Sequence, residues 1–194
     1  MLRDACYVNQ EPFRLVFYVT RFTHKFYVAD EDADMKDLTI RFAVPADVNA
    51  ILEFIKGLAA FEHEPDAVKT TTEDLLRDGF GAQPKFEVLI AERGGTPVGF
   101  ALFFPTYSTW EGRSGIHLED IFVLAEERGK GVGHKLMTRL AVLAVERGCA
   151  RLELSVLDWN PARKFYHRLG MAHQEEWLPY RIDGEALIAL AARR

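Results

Sequence analysis

The sequence predicts a mixed α/β fold, one sheet flanked by helices. Three observations carry that expectation. Short segments such as Thr39-Ile40-Arg41-Phe42, and the positions Leu152, Leu154 and Val156, alternate with the two-residue period of half-buried strands. Between such segments lie longer ones striped every three or four residues, the period of an amphipathic helix. A short turn at Gly94-Gly95 joins two of the strands, which makes that pair antiparallel. At 194 residues the chain fits one ordinary domain, or one domain with a tail.

Residues 1–36 stand apart from the rest. Scattered aromatics (Tyr7, Phe13, Phe17) precede an acidic stretch at residues 30–34, and the best apolar run, residues 15–19, is too short for the core of a secretory signal. They read as an extension, poorly ordered or not native to the domain, with Met35 as a natural start and residues 37–194 as the domain itself. A strand at residues 39–42 comes first. Pro45 then opens a helix striped by Val48, Ile51, Leu52, Ile55 and Leu58. A second helix is expected over residues 72–76, capped by Thr71 or Thr72. Residues 86–91 and 98–104 form the hairpin, and residues 117–123 the next strand. A glycine loop leads into a helix over residues 133–146, striped by Leu136, Leu140, Leu143 and Ala144 and ended by Gly148. After the strand beginning at Leu152, Asn160 caps a short helix with Pro161 at its first position. Two last strands are expected at residues 172–175 and 180–182.

Composition narrows the function. Hydrophobic residues make up 48% and charged residues 27%, a globular balance. No apolar run approaches the ~20 residues of a membrane-spanning helix. With 24 basic against 29 acidic residues the net charge is −5, which disfavours wide contact with nucleic acid and suits a cationic small molecule. Cys6 and Cys149 are too few and too distant for a disulfide framework or a four-ligand zinc site, so they read as reduced thiols in a cytoplasmic protein. The six histidines show no metal-ligand spacing and read as packing or surface residues, so no metal is expected.

The most informative stretch is Arg128-Gly129-Lys130-Gly131-Val132-Gly133, between a strand and an amphipathic helix. Alternating glycines let a ligand approach the backbone, and the first amides of the helix have no intrahelical partners. The helix dipole favours an anion there by about 1 kcal/mol. Arg128, Lys130 and Lys135 add positive charge, and the whole reads as a pyrophosphate cradle, with His134 next to it. No Lys-Ser or Lys-Thr follows, so it is not a P-loop, and the third glycine comes one position early for a dinucleotide fingerprint. By spacing alone, a glycine-rich turn without a ligand stays open.

Arg128-x-x-Gly131-x-Gly133 resembles the Q/R-x-x-G-x-G/A signature of the GCN5-related N-acetyltransferase (GNAT) superfamily, and Asn160, Phe165-Tyr166 and Leu169-Gly170 resemble a second pattern of that superfamily in the expected order. Within it the chain is most similar to diamine acetyltransferases, over about residues 39–191. The resemblance implies a mostly antiparallel sheet splayed at an acetyl-CoA site, acetyl-CoA as cosubstrate, a small-molecule amine substrate and a homodimer. It implies cofactor contacts at Ile121, Phe122, Val123, Arg128, Gly129, Lys130, Gly131, Val132, Gly133, His134, Asn160, Arg163 and Tyr166. Backbone groups at Ile121 to Val123 would pair with the pantetheine arm.

An alkylamine with a pKa near ~10.4 is almost wholly protonated at neutral pH and cannot attack. A base must take its proton, and an acid should protonate the leaving thiolate. The resemblance implies Glu119 as base or cation anchor and Tyr166 as acid. Strand alternation sends Asp120 to the opposite face unless a bulge intervenes, so it is a secondary substrate contact. Phe61, Glu62, Glu175 and Trp177, with Trp110, match positions around a polyamine site, although Phe61 lacks the hydroxyl of the tyrosine found in the polyamine enzymes. Acetylation of a protein or peptide, and a non-catalytic CoA-binding module, are the alternatives.

Overall fold

The computed structural model describes residues 37–193, so the extension expected over residues 1–36 lies outside the described residues. Five strands, β1 (Leu38–Phe42), β2 (Glu87–Arg93), β3 (Thr96–Ser108), β4 (Arg113–Val123) and β5 (Leu152–Leu154), form one sheet in sequence order. The first three pairings are antiparallel and the last is parallel. The β2–β3 hairpin turns at Gly94 and Gly95, both with positive φ (56° and 81°), the conformation a two-residue turn of this kind requires.

Helices α1 (Val48–Phe61) and α2 (Thr72–Phe80) cover one face, while α3 (Val132–Glu146) and α4 (Arg163–Arg168) cover the other. A 3₁₀ turn at Pro45–Asp47 leads into α1. Thr71 caps α2 by accepting from the Asp74 amide, and Asp74 returns the bond to the Thr71 amide. The helix runs four residues further than its apolar pattern suggested. On the α1 face Phe100 is fully buried and stacks on Phe54 with ring centroids 5.6 Å apart.

Two irregularities of β4 matter most. Leu118 packs in the cluster under α3, yet Phe122 lies against Phe54 of α1, with centroids 6.2 Å apart. In a regular strand residues four apart share a face. Here Leu118 pairs with Phe103 and Asp120 with Leu102, which leaves Glu119 as an extra residue, a β-bulge. Secondly, β5 pairs with β4 only from Ile116 to Leu118, whereas β3 stays paired with β4 to Val123. The two strands part after Leu118.

The strands expected at residues 172–175 and 180–182 are not formed. Residues 172–183 are exposed irregular chain, and a helix, α5 (Gly184–Ala191), follows. A strand needs a partner edge to satisfy its amides. This stretch has only a turn from Gln174 to Trp177, and Pro179 removes a donor.

Truncating Phe100 to Ala should cost about 3–5 kcal/mol, the range for emptying a buried aromatic site. Val145→Ala on the exposed side of α3 (Val145 is 81% exposed) should change stability by less than about 0.5 kcal/mol. Urea unfolding of the two variants checks the contrast.

Candidate active site

The parting of β4 from β5 opens a cleft of about 980 Å³. Its walls are the end of α1, β4 from Leu118 to Val123, the glycine loop, and the chain from Leu154 through α4. The loop meets the first turn of α3. Gly129 and Gly131 adopt left-handed φ values of 78° and 79°, which a side chain would strain. A Cβ built on Gly129 would meet nothing within 4 Å, and one on Gly133 only Phe165 at 3.6 Å, so the space before the loop is open. Among the described residues, the amides of residues 129–134 make no loop or capping hydrogen bond. Free donors at the positive end of a 15-residue helix fit the diphosphate of CoA.

The basic side chains are placed differently from the expectation. Lys130 is held by Glu127 (3.2 Å), which also takes Arg93 Nε at 2.8 Å and pins the start of the loop. Lys135 donates to the Leu38 carbonyl on β1 at 2.5 Å, so it ties α3 to the sheet and adds nothing to the cradle. Arg128 lies across the cleft, its guanidinium carbon 4.9 Å from the Phe61 ring centroid and 5.4 Å from that of Phe122. Its Nε donates to the Val123 carbonyl at 2.9 Å. Local aromatic faces and one carbonyl outcompete the loop for this side chain.

The bulge is the exception that strand alternation left open for Asp120. One extra residue shifts the alternation, so Asp120 and Phe122 face α1, as does the Glu119 carboxylate, 3.7 Å from His117 Nε2. Both carboxylates line the cleft, joined by Glu62 and Phe61 at the end of α1. Burial pushes the Asp120 carboxyl up to about 6, helped by the charges of Glu119 and Glu62.

Across the cleft, Tyr166 of α4 is 9% exposed. Burial, and then Glu62, push its phenol up to about 12, so it keeps its proton at neutral pH. Buried Asn160 accepts from the Ala162 amide at 2.9 Å. It therefore caps a turn, and α4 starts at Arg163, two residues later than Pro161 suggested. Arg163 donates to the Asp158 carbonyl (2.8 Å) and is not part of the cleft lining. Ile121, Phe122, Val123, Val132 and His134 line the cleft.

Glu175 and Trp177 stand outside the cleft, and Trp110 is 90% exposed. Pro179 and Arg181 from the same segment line it instead. Trp159 packs beside the cleft, against Phe61 of its lining. Its ring lies 6.4 Å from Phe61 and stacks at 5.1 Å on His63, a residue with a left-handed φ of 66°. An aromatic directly before Asn160, where the second pattern begins, is the signal the sequence offers. Among the described residues no group of His, Cys, Asp and Glu is arranged to hold a metal ion, and no helix is long and apolar enough to cross a membrane.

A glycine loop with unpaired amides, a splayed parallel pair and a buried tyrosine share one cleft. Comparison with known proteins gives the family. The acetyltransferase (GNAT) family model matches residues 52–171. The chain is 40% identical over 171 residues to thialysine N-epsilon-acetyltransferase of Sus scrofa, covering 82% of this chain and all of that one. It is 37% identical over 163 residues to the human spermidine/spermine N(1)-acetyltransferase-like protein 1, covering 78% of this chain and 23% of that one. Among solved structures, an integron cassette protein from the mobile metagenome of V. cholerae superimposes with a TM-score of 0.69 at 26% identity, over 80% of this chain and 98% of that one. The chain belongs to the GNAT acetyltransferase family and is an N-acetyltransferase.

Asp120 gives a pH-dependent prediction. Folded Asp120 keeps its proton up to about pH 6, while the unfolded carboxyl loses it near 3.8. Its contribution to stability is therefore greatest at low pH and is lost as pH rises from that value through about 6. Carrying the charge at neutral pH costs up to about 3 kcal/mol. Asp120→Asn should stabilise the fold by about 1–3 kcal/mol at pH 7.5 and by little near pH 4, as read by urea unfolding at the two pH values.

Proposed function

We propose that the protein transfers the acetyl group of acetyl-CoA to a primary amine of a small diamine, polyamine or lysine-like molecule, by direct attack. One observation carries this: a single cleft holds the free amides of Gly129 and of residues 131–134, the phenol of Tyr166 and the carboxylates of Glu62, Glu119 and Asp120. The names of the relatives, which specify thialysine and spermidine or spermine, support a cationic amine with a second charged group.

Acetyl-CoA supplies an acetyl group already activated as a thioester. The loop amides would hold its diphosphate, and the free edge of β4 from Glu119 to Val123 offers backbone groups to its amide-bearing arm. An amide there can also polarise the thioester carbonyl. Glu119, more exposed than Asp120, anchors the ammonium. Asp120, its carboxyl near 6, takes the proton that blocks attack, because a base titrating close to neutral both stays ionised and holds a proton well. Tyr166 keeps a proton at Oη for the departing thiolate. Glu62 neutralises a second ammonium, which would otherwise lose its solvation unpaired. On this reading the protein works in the cytoplasm as a homodimer, with no nucleic acid, membrane or metal as partner. Its acidic net charge supports the choice of a cationic partner.

A thiol-release assay with acetyl-CoA and a panel of diamines, lysine analogues, monoamines and peptides tests the reading. Diamines or lysine analogues should be the best substrates, and Glu119→Gln should raise their KM at least tenfold while affecting monoamines less. Tyr166→Phe should lower kcat by about 10² or more with little change in acetyl-CoA affinity. CoA binding without thiol release for any amine would favour a sensor instead.

A further inference from the structure

We propose that Arg128 couples the two halves of the cleft. It covers the aromatic face that a substrate ammonium would use, and it gives up that face when the neighbouring loop takes a diphosphate. The proposal rests on the amine reading above. Its starting point is the position of one side chain. The Arg128 guanidinium lies over Phe61 and also against Phe122, at 4.9 and 5.4 Å, and its Nε is bonded to the Val123 carbonyl. Among the described residues no carboxylate comes within ion-pair distance of it, although Glu62, Glu119 and Asp120 line the same cleft. Arg128 is therefore held only by ring faces and a neutral acceptor.

Those contacts are weak beside what the loop offers once loaded. A guanidinium over an exposed ring is held far less firmly than one hydrogen-bonded to phosphate oxygens. Arg128 directly precedes Gly129, the first residue of the cradle. The Val123 carbonyl ends the unpaired stretch of β4, so the arm of CoA competes for the acceptor that Arg128 occupies. One ligand thus removes both holds on the side chain. The other side of the exchange is electrostatic. Two cations cannot share the Phe61 face, so a substrate ammonium reaches it only after Arg128 leaves. Acetyl-CoA then raises amine affinity, and by linkage the amine raises acetyl-CoA affinity equally.

Calorimetric titration of spermidine and of thialysine into the full chain, with and without saturating CoA, tests this. CoA should tighten amine binding by about 5- to 30-fold, within the usual span of coupled sites. In Arg128→Ala the amine should bind without CoA about as tightly as it binds the wild type with CoA, and added CoA should change it less than twofold. That gain should vanish in Arg128→Ala/Phe61→Leu. Its persistence there would assign it to net charge alone and overturn the proposal, as would equal amine affinity in the wild type with and without CoA. The Arg128 Nε–Hε resonance, shifted by the two rings, should move when CoA alone is added. An unmoved resonance with CoA bound overturns the proposal and leaves the amine reading intact. A moved resonance with neither amine bound overturns the amine reading.

Discussion

The site depends on one interrupted ladder of hydrogen bonds. Parallel pairing between β4 and β5 stops at Leu118 and Leu154, while β4 stays in the sheet through β3 for five more residues. Backbone donors and acceptors left without a partner in a half-buried wall are costly unless something else satisfies them. A ligand rich in amides and carbonyls does so, and the same gap admits it between the strands. The bulge at Glu119 sits at the point of separation. Were β4 regular through Glu119, Asp120 would share the α3 face with Leu118 and its carboxylate would be lost to the cleft.

Crowding three carboxylates beside a buried phenol costs stability, and the cost is functional. The charge of Glu62 reaches both Asp120 and Tyr166 and favours the protonated form of each. Burial is the larger cause of both shifts, and Glu62 adds to it, so Asp120 comes close to neutrality, where a base can cycle, and Tyr166 stays a proton donor. Such a cluster persists because the core on either side of the sheet, around Phe100 on one face and Leu136 and Leu140 on the other, is fully buried and carries the burden.

Much of this was legible in the residues. The hairpin was written in Gly94-Gly95, the α3 helix in its stripe of leucines, and the cradle in the glycines before it. These features are local, set by periodicity and by backbone freedom. What escaped was decided by contacts distant in sequence. The bulge depends on how β3 meets β4, and no residue type announces it. Lys135 is drawn to the Leu38 carbonyl, 97 positions away, and Arg128 to aromatic rings from α1 and β4. The alternation at residues 180–182 has the pattern of a strand, but these residues pair with neither edge of the sheet, β1 or β5. The placement of Trp159 is set by Phe61 and His63, at and just beyond the end of α1.

The most direct measurement is a crystal structure with CoA bound. The diphosphate should accept hydrogen bonds from the amides at the start of α3, with the pantetheine arm lying between β4 and β5 against Glu119 to Val123. A diphosphate held elsewhere, or strands closed together beyond Leu118 with CoA on the outer surface, would contradict it.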